Sequence, residues 1–198
     1  MEAVVNKLGG MDGVQRFLRG EVTLAEPAKR WREQDGVIYF TLPPTDGTTG
    51  PEWIKRLEKK NFRLSQWATD VLKSKDFKPT TGVVNEVAVL KGMLFENSNR
   101  TTKNIRAEAD KRKLNKPNAE VACLIRENFS NEEIEAMGLW YIVAMHDPIK
   151  DSVGDPCLLH AGRGGVGRWL NTCYGSPDDR WVRGSGFAFA VSQVSPQN

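Results

Sequence analysis

The sequence is short of the residues that fix most simple functional classes. Three cysteines (Cys123, Cys157, Cys173) and two histidines (His146, His160) are too few and too scattered for a disulfide framework or a doubled C-x-x-C zinc motif. Three thiols that cannot all pair point to a reducing compartment, so a cytoplasmic address is the expectation. No apolar run approaches the ~20 residues needed to cross a bilayer, and no membrane partner is expected. The opening Met1-Glu2-Ala3-Val4 has neither the basic nor the apolar stretch of a signal peptide. Internal repeats and low-complexity tracts are also missing, which argues against solenoids and disordered arrays.

What is present is the composition of a folded domain. Hydrophobic residues make up 39% and charged ones 27%, with six tryptophans among 198 residues, enough for one sizeable domain or a small one plus a larger one. The net charge of +3 is unevenly spread. Residues 29–113 carry +7, residues 114–139 carry −3, and residues 140–198 balance. A basic centre can attract phosphates; a solvated helix face has the same charge pattern.

Residues 11–19 place Val14, Phe17 and Leu18 on one helical face, with Gly20 where a helix stops. "EVTL" (21–24) and "GVIYFTL" (36–42) read as strands, and "PPTDGTTGP" (43–51) breaks the chain. Trp53, Ile54 and Leu57, then Leu64, Trp67, Ala68, Val71 and Leu72, follow helical spacing, with Ser65 as a cap for the second helix. "VVNEVAVL" (83–90) is a strand candidate. Residues 101–114 read as a polar helix supported by Glu108 and Arg112, and Ser130-x-x-Glu133 fits a capping box. "LWYIVAM" (139–145) is apolar on both faces and reads as a covered central strand. "PCLLHA", "RWLNTCY" and "GFAFAV" follow with no helix-length segment between them, which predicts antiparallel pairing.

Gly162-Arg163-Gly164-Gly165-Val166-Gly167 spells G-x-G-x-x-G, the spacing of a dinucleotide-binding turn. That turn must open a crossover helix, yet Gly175-Ser176-Pro177 arrives eight residues later, so a hairpin connection is expected instead. Cys157-x-x-His160 would point to opposite faces of a strand, so no metal is expected there. His146-Asp147, with Asp151 and Asp155, could serve acid–base chemistry, but no nucleophile matches it and Asp151-Ser152-Val153-Gly154-Asp155 reads as a turn.

Two surfaces remain as binding candidates. Arg163, Arg168, Trp169, Tyr174, Arg180, Trp181 and Arg183 combine the residue types of binding hot spots. Residues 53–73 have a helix–turn–helix look, in which Lys55, Arg56, Lys59, Lys60, Arg63 and Gln66 could meet phosphates and base edges, aided by Lys111-Arg112-Lys113.

The stretches "LSQWATDVLKSKDF" (64–77), "WYIVAMHDPIKDSVGDPCLL" (140–159) and "RWLNTCYGSPDDRW" (168–181), with the closing "FAF" and the opening "LGGMDGVQRFLRGE" (8–21), resemble a family of uncharacterised bacterial proteins. The resemblance covers roughly half the chain by inspection. It implies no activity and no site. It also departs at His146-Asp147-Pro148, where the family more often has Glu-Pro.

The sequence thus predicts an α+β fold. Residues 1–50 form an N-terminal segment with a short helix and strands, and residues 51–198 the main domain, helical over 51–138 with an antiparallel, meander-like sheet over 139–192. The expected function is binding rather than catalysis, with no cofactor. An unidentified protein or small ligand would meet the C-terminal aromatic/Arg surface; nucleic acid at the helix–turn–helix-like segment is the alternative.

Overall fold

Stretches rich in Val, Ile, Phe and Tyr occur in both halves of the chain, and in the computed structural model the described residues place them in one ten-stranded sheet. Residues 5–6, 8–21, 29–164 and 167–191 are described. The chain divides into two units, residues 1–30 and residues 31–198. In the first, helix α1 (Met11–Leu18) ends at Arg19, and Gly20 turns left-handed with φ 73°. The strand expected over "EVTL" lies, beyond Glu21, outside the described residues.

The second unit carries β1 (Arg32–Gln34), β2 (Val37–Thr41), β3 (Arg63–Leu64), β4 (Glu86–Lys91), β5 (Leu114–Asn115), β6 (Tyr141–Ala144), β7 (Ile149–Lys150), β8 (Pro156–Gly164), β9 (Gly167–Tyr174) and β10 (Ser185–Val191). Their order is β1-β2-β4-β10-β6-β8-β9-β3, with β5 added to β10 and β7 to β8. The helices are α2 (Gly50–Lys59), α3 (Gln66–Lys73), α4 (Thr102–Lys111), α5 (Glu120–Asn128) and α6 (Asn131–Ala136). Local chemistry starts them as anticipated. Ser65 accepts the Ala68 amide at the head of α3, and Ser130 and Glu133 close a reciprocal capping box on α6.

The C-terminal antiparallel meander does not form. The sheet is mixed, and strands from both halves of the chain build it. β10 does not lie beside β9; it returns between β4 and β6, antiparallel to β4 and parallel to β6, with Phe187 opposite Val143. β3 is also parallel to its neighbour, β9. The physical reason lies in the β10 side chains. Phe187 and Phe189 are buried on one face and Ala188 on the other, so the strand is covered on both sides and suits the middle of a sheet. Residues 175–184 are long enough to carry it there. They are tied down en route: Thr102 N–H donates to Asp179 O, Lys103 N–H to Pro177 O and Trp181 N–H to Arg100 O.

Helices cover both faces. α2, α3, α5 and α6 pack Trp53, Leu57, Val71, Leu72, Ile125 and Ile134 onto one face, against Ile38, Phe40, Val89, Ile142 and Leu159. α4 covers only part of the other, bringing Ile105 and Ala109 over Val143, Phe187 and Phe189. Each phenylalanine buried there contributes roughly 2–3 kcal/mol of transfer free energy. Beyond α4, toward the β8–β9 end, this second face is where the site lies.

Candidate functional site

β8 and β9 pair antiparallel all the way to Gly164 opposite Gly167, so the glycine-rich motif joins two strands of a hairpin and no helix follows it. Side chains alternate across a strand, and this register sorts the hairpin into two sets. Arg163 and Arg168, opposite one another, turn to the helix-covered face. Arg163 meets Glu135 at 2.9 Å; Arg168 stacks 4.1 Å over Phe62 and donates to Lys60 O at 2.9 Å. His160, Gly162, Gly164, Trp169 and Asn171 share the other face with Tyr141 of β6, which pairs with Gly162.

There they form a cleft of about 400 Å³, lined also by Trp140. Two glycines make its floor. A Cβ on Gly162 would sit 3.2 Å from the His160 ring, and one on Gly164 would sit 2.5 Å from the Trp169 ring. A side chain at Gly164 would push the Trp169 ring out of place, and one at Gly162 would crowd the His160 ring by a few tenths of an ångström, so the glycines serve close approach rather than a phosphate turn. Trp140 is 57% exposed and its ring rests on Gly184. Trp169 is backed by the Arg63 guanidinium, 5.6 Å from its ring. Beneath the floor, buried Arg126 of α5 donates to Gly162 O at 2.8 Å and to Phe129 O. Burial lowers the Arg126 pKa to about 10.

His160 is 8% exposed, its ring 4.8 Å from that of Tyr141, and its buried Nδ1 has no hydrogen-bond partner among the described residues. Burial pushes its pKa down to about 4, so at neutral pH it is uncharged, with one donor and one acceptor nitrogen. Asn171 accepts the Thr172 amide through Oδ1, which leaves the orientation of its NH₂ group set toward donation. The Tyr141 hydroxyl accepts from Ser185 Oγ at 2.9 Å.

The seven aromatic and arginine residues singled out from the sequence do not gather. Trp169 lines the cleft; Arg163 touches its rim, but its guanidinium turns to Glu135 on the helix-covered face. Arg168 is on the opposite face. Tyr174 is at the far end of β9, donating to Asp155 at 3.0 Å. Trp181 is core, 8% exposed, edge-on to Phe187 at 5.3 Å and donating to Thr102 Oγ1. Arg180 bridges to Thr101, and Arg183 lines a smaller depression on the other side of Trp140.

The helix–turn–helix-like cations are largely engaged within the chain. Arg56 is held by Glu127 and Asp46, each at 2.5 Å, and lies over Trp53; Lys60 reaches Glu127 at 2.6 Å. Gln66 donates to Asp70, and Lys111 and Arg112 both meet Glu108. Lys55 and Lys59 are exposed. Arg63 alone of this group is joined to the cleft, through Trp169.

His146 is a structural residue. It is buried, its Nδ1 lies 2.7 Å from Asp147 O, and its Nε2 accepts the Leu159 amide at 3.0 Å. Both ring nitrogens are thus taken by backbone, and burial lowers its pKa to about 4. Asp147 faces outward to Lys116 at 2.6 Å. Cys157 belongs to the helix-covered core while His160 faces the cleft, and among the described residues no group of three His, Cys, Asp or Glu side chains could hold a metal ion. No helix among them is long and apolar enough to cross a membrane. The chain matches no family model, no curated protein and no solved structure.

Trp140, Tyr141, His160 and Asn171 were not among the sequence candidates. The signal for two of them, His160 and Asn171, was the alternation itself: an antiparallel hairpin closing between residues 164 and 167 puts both on one face with Trp169.

Proposed function

We propose that this chain is a cytoplasmic, non-enzymatic binding protein whose ligand inserts a flat nitrogen heterocycle, of the nucleobase type, into the cleft between Trp140, Tyr141, His160 and Trp169. One observation carries the reading: Gly162 and Gly164 leave the sheet bare beneath two aromatic rings, making a ring-lined depression of about 400 Å³. Indole and phenol faces attract flat, electron-poor rings, and stacking of a base on such a face contributes ~1–3 kcal/mol. Neutral His160 and the Asn171 amide supply the mixed donors and acceptors that a base edge requires. The nearby cations, Arg63 and Arg126, favour a ligand that also carries a negative group. Three free cysteines suit a reducing compartment.

Intrinsic fluorescence titration tests this with adenosine, adenosine monophosphate, a short single-stranded oligonucleotide, and methyl glucoside as a non-aromatic control. The expected result is quenching by the nucleoside or nucleotide and none by the sugar, with Trp169→Ala weakening binding by about tenfold or more. Tighter binding of the oligonucleotide than of the monomer identifies the source as a strand. Absence of quenching by any base-containing probe, or equal binding by Trp169→Ala, refutes the reading.

A further inference from the structure

A second cavity, of about 550 Å³, opens between α4 and the loops that follow β6 and β9. It shares no lining residue with the aromatic cleft. Its walls are apolar: Ala107 from the helix, Pro148 after β6, Pro156 at the start of β8, and Pro177 after β9. Into these walls α4 brings Arg106. Helical spacing places it beside Thr102, Ile105 and Ala109, the inward-facing stripe of α4, where a long cation is out of character.

Arg106 is only partly satisfied. Nη2 donates to His146 O at 2.8 Å, while Nη1 is buried without a hydrogen-bond partner among the described residues. The other cations at the cavity are already matched, Lys116 to Asp147 at 2.6 Å and Lys103 to Asp178 at 3.0 Å. Asp147 and Asp110 also line the region, but neither hydrogen-bonds the guanidinium. Burial lowers the Arg106 pKa more than these two carboxylates raise it, so the nearby acids do not fully compensate the charge. A guanidinium N–H left without an acceptor at the edge of a roomy apolar cavity is costly for folding alone. An incoming anion removes that cost.

We infer that this cavity binds a small carboxylate with an apolar body, its carboxylate oxygen accepting from Arg106 Nη1 and its hydrocarbon lying against Ala107, Pro148, Pro156 and Pro177. Nη1 carries two N–H bonds, enough for the oxygens of one carboxylate. An inorganic phosphate gains nothing from proline walls.

Calorimetric titration of the full chain at neutral pH and low salt, with hexanoate, 1-hexanol and inorganic phosphate as probes, tests this. Hexanoate should bind, with hexanol about tenfold or more weaker because a charge-assisted hydrogen bond is lost. Phosphate should give no heat beyond dilution. Arg106→Met keeps the side-chain volume and should reduce hexanoate binding to the level of hexanol. Should that variant fail to fold, Ala107→Glu changes an exposed helix position at the cavity mouth and should weaken hexanoate by a similar factor. Amide resonances of Ala107, Gly175 and Ser176 should shift on titration, and those of Gly162 and Gly164 should not. The inference is overturned if hexanoate does not bind, if phosphate binds more tightly, if both variants bind hexanoate like the parent, or if the shifts fall on the aromatic cleft.

Discussion

Single atoms decide the cleft. The missing Cβ of Gly164 is what lets Trp169 lie across the hairpin, because a methyl there would stand 2.5 Å from the indole. Gly164→Ala should therefore cost about 1 kcal/mol of stability, since the partly exposed indole can swing outward, but should weaken adenosine by ~tenfold. Urea denaturation and fluorescence titration on the same variant separate the two effects. The buried histidines make a pH prediction. His146 and His160 have folded pKa values of about 4, below the ~6.5 of an unfolded chain. Above pH 6.5 both are neutral in either state. From 6.5 down toward 4 only the unfolded chain takes up the protons, so stability falls by about 1 kcal/mol per pH unit for each ring and then levels off. Asp46 and Asp147, whose pKa values are lowered by hydrogen bonds to Thr48 and Lys116, lose their contributions only at more acid pH. Glu120, raised by burial, acts in the opposite sense near the acid end of the window. Urea midpoints at pH 7 and pH 5 should thus differ, and His146→Gln with His160→Gln should remove most of the difference; an unchanged slope would discard the assignment.

At the scale of elements, the basic segment looked like a phosphate-binding pair of helices only because its acidic partner was far away in sequence. Glu127 of α5, with its side chain 7% exposed, holds both Arg56 and Lys60 of the α2 region. Glu127→Ala should lower stability by roughly 2 kcal/mol, because it leaves a partly buried Arg56 with Asp46 alone. Thermal denaturation measures it, and a change below a few tenths would mean that the triad contributes little. Most elements could be read locally: the capped starts of α3 and α6, the hydrophobic strands β2, β4, β6, β8 and β9, and the hairpin itself all rest on near neighbours. α5 could not. Its residues Val121 to Arg126 are buried on every side, so it shows no amphipathic period to find. Arg106 was hidden in the same way, as one cation in a charged helix whose inward stripe becomes visible only once α4 is laid on the sheet.

At the scale of the whole molecule, what the sequence conceals is pairing over distance. "GFAFAV" announces a strand and even a two-faced one, yet nothing local says that its partners are residues 86–91 and 141–144 rather than the strand just before it. Short spacing favoured the neighbour; burial on both faces favoured the centre, and burial won. Hydrogen exchange should find the slowest amides in β10 and its two flanking strands. A chain stopped at Gly184 should show no cooperative unfolding, whereas loss of the two-stranded edge pairing at β3 through Leu64→Pro should leave a cooperative transition. Because the strand that closes the middle of the sheet is the last of the described strands, the facing edges of β4 and β6 have no partner until residues 185–191 are available to pair. Until then those two edges are open to pairing with another copy.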